Sequence, residues 1–286
     1  MPMPTNTRTA RFLRKAIPIA LLGALALGSV GCERMGGLRA RMAADELAHS
    51  VDIKGTPVTI GRFTAVDVEN PKGNVTVVAL PRHEQAFISF RVQKENLMRW
   101  RSMRMKLGFD PNGEYFTAEH ITDGQLSTLV VRPTDLTIEG YRLPVNITVH
   151  VPRCDGLRIM NADGNVDVVG VKGVMDIVSG DHQNPGGDIE IRTENTLEET
   201  INAWTNGGDV TLVAGPDASG TIELVAPRGL TTFWSKHGVT EHSRPEVGRW
   251  TGVWNDGTNN IRLETLTGNA RLMVVENPVH HSLIMN

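Results

Sequence analysis

The sequence predicts an all-β chain whose second half is a β-solenoid, a stack of short-strand coils joined by glycine turns. Three observations predict it. First, apolar and polar residues alternate in run after run beyond Val51, as in Phe63-Thr64-Ala65-Val66-Asp67-Val68 and Gly73-Asn74-Val75-Thr76-Val77. Successive side chains of a strand point to opposite faces, so such alternation marks half-buried strands. Second, one phrase returns: a glycine, a small residue that is usually Asn or Asp, then apolar-polar-apolar. It stands at Gly164-Asn165-Val166-Asp167-Val168, Gly187-Asp188-Ile189-Glu190-Ile191 and Gly208-Asp209-Val210-Thr211-Leu212, with the glycines 23 and 21 residues apart. A period of about 20–50 residues marks a repeat architecture. Third, the 29 glycines and 15 prolines fall largely between the alternating runs, where turns need them.

The N-terminus reads as an address. Arg8, Arg11, Arg14 and Lys15 precede an apolar run from Ala16 to Val30, with no acidic residue. The run is shorter than the roughly 20 apolar residues of a membrane-spanning helix and fits a secretory signal over residues 1–31. Its exit, Ser29-Val30-Gly31-Cys32, resembles a bacterial lipoprotein box. Gly31 and Cys32 match that pattern, and Ser29 departs from the usual leucine. The resemblance implies lipidation of Cys32, and Glu33 after it implies the outer membrane. Cleavage near Ala24-Leu25-Ala26, giving a soluble exported protein, is the competing reading.

Removing the leader leaves 255 residues, enough for a substantial core, and a net charge of −7, because the leader holds four basic residues and no acidic one. A mildly acidic chain argues against nucleic acid as a general partner. Of the two cysteines, Cys32 is the lipidation candidate, which leaves Cys154 without a partner in the chain. Cys154 is read as a small buried hydrophobe rather than a nucleophile.

Residues 32–50 read as a tether with a short helix, since Leu38, Met42 and Leu47 share one face. Residues 51–153 form an N-terminal β region, either a sandwich-like portion or the first coils of one body. Its strand candidates include Ala86 to Gln93, Glu114 to Ile121, Leu126 to Arg132 and Pro144 to Val151. Residues 154–286 hold the solenoid, with looser phrases at Gly220-Thr221-Ile222-Glu223-Leu224 and Gly268-Asn269-Ala270-Arg271-Leu272 and an aromatic insertion at 227–258.

The signal, the β region and these phrases together resemble a family of bacterial adhesin-like proteins, known mainly as domains of unknown function. Its members carry stacked β-coils with such glycine phrases, and a strand ending in proline leads into the first coil, as Val145 to Pro152 does here. The likeness covers roughly residues 60–225, returns at 259–275 and departs at 227–258. It implies an adhesive or scaffolding role and brings no catalytic residues.

Four groups are candidate sites. The column Asn165, Asp188, Asp209 would stack at about 4.8 Å and form a solvated turn ladder, with calcium as the alternative. Arg91, Lys94, Arg99, Arg101, Arg104 and Lys106, around Trp100, would either form a solvated hairpin with Trp and Met turned inward or contact an anionic surface through Arg99, Arg101, Arg104 and Lys106. Phe233, Trp234, Trp250 and Trp254 would either cap the solenoid or stack on a glycan through Trp234, Trp250 and Trp254. His237 and His242, and His280 and His281, match no complete metal-ligand spacing. No cofactor motif or catalytic elbow is present, so no metal, cofactor or enzyme activity is expected. The expectation is a non-catalytic, lipid-anchored envelope protein whose partners are the membrane and a cell-surface glycan or envelope protein. A glycan- or lipid-binding module and, behind it, a polysaccharide-cleaving β-helix are the alternatives.

Overall fold

The computed structural model describes residues 50–54 and 63–280, apart from 83–84, 107–115, 124, 135–136, 139, 195, 237–239, 243–245 and 258. The expected signal, Cys32 and almost all of the tether lie outside the described residues. Ser50–Asn286 forms one compact unit. Its strands begin with β1 (Ser50–Lys54), β2 (Phe63–Asn70), β3 (Val75–Ala79) and β4 (Phe87–Gln93), followed by a helix, α1 (Lys94–Lys106). Next come the antiparallel pair β5 (Phe116–Asp123) and β6 (Leu126–Pro133) and the short pair β7 (Thr137–Ile138) and β8 (Tyr141–Arg142). A close series follows: β9 (Asn146–Val151), β10 (Gly156–Asn161), β11 (Val166–Val169), β12 (Val174–Ser179), β13 (Ile189–Thr193), β14 (Ile201–Thr205), β15 (Val210–Ala214), β16 (Gly220–Val225) and β17 (Thr231–Ser235). The chain ends with β18 (Thr240–His242), β19 (Arg249–Trp254), β20 (Asn260–Thr265), β21 (Ala270–Val274) and a 3-10 turn, Pro278–His280.

The fold is all-β, with two mixed sheets that do not close into a barrel. One sheet runs β1-β4-β9-β3-β11-β13-β15-β21-β17, and the other runs β18-β19-β16-β20-β14-β12-β10-β2-β6-β5. From β9 to β17 consecutive strands alternate between the sheets, and β9 and β10 bring the chain back beside β3 and β2. The pairing through the middle of both sheets is parallel and without slip. Val75, Val166, Ile189, Val210 and Ala270 line up in one sheet. Val68, Ile159, Ile177, Ala203 and Leu263 line up in the other. These inward columns are buried and form the core. The alternation read from the sequence shows directly in burial, as in β2, where buried and half-buried positions alternate throughout.

One corner of the strand stack is held by side chains rather than by apolar packing. The Asn146 Oδ1 accepts the Asn74 N–H at 2.9 Å, and the Asn74 Oδ1 accepts the Asn165 N–H at 2.9 Å. The series continues from Asn165 to the Asp188 N–H (3.0 Å), from Asp188 to the Asp209 N–H (2.8 Å), and from Asp209 to the Asn269 N–H (2.8 Å). Asn269 ends it by accepting the Leu230 N–H at 2.9 Å. Each short side chain thus satisfies the backbone of the next strand connection, a local bond that Asn and Asp make readily.

Behind these rungs runs a buried polar column: Asn70, Asn161, Ser179, Thr205 and Thr265, paired strand to strand. Asn161 Nδ2 and Ser179 Oγ donate to the Gly164 carbonyl at 2.8 and 2.9 Å, and Ser179 Oγ accepts the Gly187 N–H at 3.0 Å. Thr265 Oγ1 donates to the Gly208 carbonyl at 2.7 Å and accepts the Gly268 N–H at 2.9 Å. Buried backbone groups need such partners, because turns leave them outside the ladder. Glycine is needed at this corner for a steric reason. Gly164 has φ +125°, and a Cβ there would strike the Gly73 carbonyl.

Three expectations are corrected. Residues 94–106 form a helix and not a hairpin; the run lacks alternation, glycine and proline, and consists mostly of good helix formers. Trp100 turns inward as expected, but Met98 and Met105 are exposed. The Gly220 phrase does not join the turn column. It begins β16 in the ten-stranded sheet, and Gly229 takes the corner instead, packed against Gly268. The last strands also do not extend the stack in order. β20 lies between β14 and β16, and β21 lies between β15 and β17.

The hydroxyl of Thr205 lies 2.8 Å from the carbonyl oxygens of both Gly187 and Gly207. Thr205→Val keeps its shape and removes the donor, so it is expected to lower stability by about 1–3 kcal/mol. The check is the urea midpoint at unchanged m-value.

Candidate functional site

The outward face of the ten-stranded sheet is ordered by the same register as the core. Asp67, Arg158, Asp176, Asn202, Arg262 and Glu223 stand side by side across six strands. Opposite charges therefore meet across strands. Arg262 contacts Glu223 at 2.9 Å and Glu264 at 2.7 Å, and Arg249 contacts Glu223 at 2.7 Å. The hydrogen bond to Glu264, partly offset by burial and reinforced by Glu223, holds the Arg262 guanidinium above its ordinary pKa.

Where β6, β2, β10 and β12 adjoin, the face is indented by a groove of about 510 Å³. Glu69, Arg132 and Arg158 line this groove and close a quartet with the neighbouring Asp67. Arg158 Nη1 lies 3.0 Å from Asp67 and 3.1 Å from Glu69. Arg132 reaches Asp67 at 2.9 Å and Glu69 at 3.1 Å, and also donates to the Asp67 carbonyl at 3.0 Å. The hydrogen bond to Glu69, opposed by burial and reinforced by Asp67, holds the Arg158 guanidinium above its ordinary pKa. Met160 and Val178 add apolar lining. At one margin the Asp181 Oδ1 accepts the Gln183 N–H at 2.7 Å and the Asn184 N–H at 2.8 Å. Those bonds, the one from Gln183 first, hold the Asp181 carboxyl below its ordinary pKa. Both carboxylates of the quartet are engaged by arginine. The sequence contains all four residues, but Asp67 and Arg158 are 91 positions apart, and only the strand register brings them together.

The three tryptophans of the insertion do not share a face. Trp254 is fully buried in the core, and Trp250 packs against the core with its ring stacked on Phe233 at 5.1 Å. Phe233 also meets Trp254 edge-on at 6.3 Å. Trp234 points the other way on β17 and is 41% exposed, with Lys236 Nζ 5.7 Å from its ring centre. Strand β17 ends one sheet, and β18 with β19 ends the other. Trp254 therefore has no free ring face for a sugar.

Arg99, Arg101, Arg104 and Lys106 all lie on α1, with Arg99 and Lys106 exposed and Arg101 half-buried. Asn165, Asp188 and Asp209 form the turn rungs described above, and Arg271 pairs with Asp209 at 2.8 Å. No group of three His, Cys, Asp or Glu capable of holding a metal occurs among the described residues. His242 lies in β18 and His280 is exposed in the 3-10 turn; His237 and His281 lie outside the described residues. Cys154 is buried, and its thiol donates to the Gly156 carbonyl at 3.1 Å. Desolvation pushes that thiol up to about 12, against the opposing hydrogen bond to Gly156.

No family model matches the chain, and no curated protein matches it. Solved structures do. One is a candidate cell adhesion protein from Clostridium sporogenes, at 10% identity and TM-score 0.45, covering 79% of this chain and 99% of that one. A candidate lipid binding protein from Parabacteroides distasonis matches at 10% identity and TM-score 0.31, covering 80% and 97%. A candidate adhesin from Bacteroides fragilis matches at 10% identity and TM-score 0.24, covering 79% and 97%.

The raised thiol value sets a pH window. Burial favours the neutral thiol, so its contribution to stability is complete below the ordinary value of 9.0 and is lost as pH rises from there toward about 12. The stability difference between the parent and Cys154→Ala is expected to be constant below pH 8 and to shift against the parent above pH 9. Denaturant melts of both proteins across that range provide the check.

Proposed function

We propose that this is a non-catalytic, lipid-anchored protein of the bacterial cell envelope, held at the outer membrane through Cys32. Its strand stack is a β-solenoid-like body that presents a sheet face for adhesion or scaffolding. The observation that carries this reading is the shared register of the ten-stranded sheet, which sets outward side chains in rows across many strands. A binding surface of this kind needs breadth and rigidity, and the cross-strand ion pairs supply both. Two features support a binding role over catalysis. The quartet carboxylates Asp67 and Glu69 are committed to arginine, and the buried Cys154 thiol stays protonated.

Radiolabelled palmitate is expected to label the wild-type protein and not Cys32→Ala, and the wild-type protein is expected to sediment with the outer membrane. An unlabelled wild-type protein would overturn the anchor. Protease added to intact cells then separates the two roles. Digestion, with a periplasmic control spared, supports adhesion; protection until the envelope is opened supports an internal scaffold.

A glycan ligand is the second reading, and the exposed Trp234 ring beside Lys236 favours it. On an array of acidic and neutral glycans, Trp234→Ala is expected to lose the binding that the parent shows. Equal binding by both proteins would sink that role for Trp234. Trp250→Ala with Trp254→Ala is unsuitable for this purpose, because Trp254 belongs to the core.

A further inference from the structure

Helix α1 turns one side into the fold and carries exposed methionines on the other. Leu97 and Trp100 enter the core, and Met103 packs against it. On the opposite side Met98 is 55% exposed and Met105 is 64% exposed, with exposed Ser102 between them. Spacings of three and four residues place these three above one another on a helix. Arg99 and Lys106 are exposed along one flank of that stripe, and Arg101 lies half-buried along the other. Over its 13 residues the helix holds five basic residues and one acidic one, within a chain whose net charge is −3.

Methionine is flexible and polarisable, and it adapts to surfaces that have no fixed shape. A methionine stripe bordered by long basic side chains fits the headgroup layer of an anionic bilayer. The thioethers reach the top of the acyl region, while the arginine and lysine stems extend their charges to the lipid phosphates. Basic residues near such a surface each add to its attraction. The bulk of the protein is acidic and would be repelled, so the charge asymmetry also sets an orientation, with α1 toward the lipid.

We propose that the outward face of α1, centred on Met98, Ser102 and Met105 and flanked by Arg99 and Lys106, docks on an anionic phospholipid bilayer. This contact does not depend on lipidation of Cys32.

The experiment places an environment-sensitive fluorophore at position 102 of the full chain, using Ser102→Cys together with Cys32→Ala. The buried, protonated Cys154 is not labelled in the folded protein. The probe is read with vesicles of phosphatidylglycerol and phosphatidylethanolamine, and with vesicles of phosphatidylcholine alone. A blue shift with the anionic vesicles only, weakened by salt, is the expected result. Arg99→Glu with Lys106→Glu should reduce partitioning by roughly tenfold or more. Met98→Ser with Met105→Ser should abolish the blue shift. Unchanged thermal midpoints would show that these exposed substitutions leave the fold intact. The proposal is overturned if the label stays water-exposed while the chain pellets with anionic vesicles, if neutral vesicles give the same shift, or if only a soluble polyanion such as heparin moves it. Each of these outcomes leaves the lipidation test at Cys32 untouched.

Discussion

Register is the constraint on which this molecule depends, and the Asn and Asp rungs at one corner enforce it. In a stack of parallel strands with alternating side chains, a slip of one residue reverses the faces and is forbidden by burial. A slip of two residues restores the alternation, and columns of Val and Ile would tolerate it. The rungs would not. Asn74, Asn165, Asp188, Asp209 and Asn269 each accept one particular backbone N–H at a strand connection. The hydroxyls of Ser179, Thr205 and Thr265 add a second, buried fix on the glycine carbonyls just behind. Apolar packing supplies most of the driving force, and these polar bonds select one alignment from several that packing would accept.

The outer surfaces inherit that alignment. Arg192 meets Asp167 at 3.0 Å and Glu190 at 3.1 Å on one sheet, while the Asp67, Glu69, Arg132 and Arg158 quartet lies on the other. Single surface ion pairs contribute little to stability. Their value here is positional, because long side chains that might otherwise sample many rotamers are held in rows.

Most of the β architecture was legible in the sequence because its signal is local. Alternation in Phe63 to Val68 and in Val145 to Val151 marked strands that the structure places at Phe63–Asn70 and Asn146–Val151. The phrases at Gly73, Gly164, Gly187, Gly208 and Gly268 marked the corner itself. What was not legible depends on pairing between distant residues. The Gly220 phrase keeps the alternation but has Thr221 where the rungs have Asn or Asp; it leads into the other sheet, and Gly229, which no phrase marks, takes the corner. The quartet needs β2 beside both β6 and β10, which no local pattern encodes. Helix α1 was obscured because its buried residues, Leu97 and Trp100, are few and its charges surround them. The tryptophans were read as one group because they are close in sequence. Strand alternation separates Phe233 from Trp234, and with it the core from the solvent.

The placement of β20 and β21 bears on how the protein is made. Strand β16 needs β20 and β19 as neighbours, and β17 pairs with β21, yet all of these emerge later in the chain. A polypeptide that emerges from its N-terminus can add β10 through β15 one at a time, each onto a finished edge. It must then release β16 and β17 before their native partners exist, until the final stretch arrives and fits between them and β14 and β15. Closure of the stack is therefore a late, long-range event, the slow kind in folding. Until it happens, the β14 and β15 edges stay open to neighbouring chains. A chain built this way has reason to be shielded until β20 and β21 have emerged.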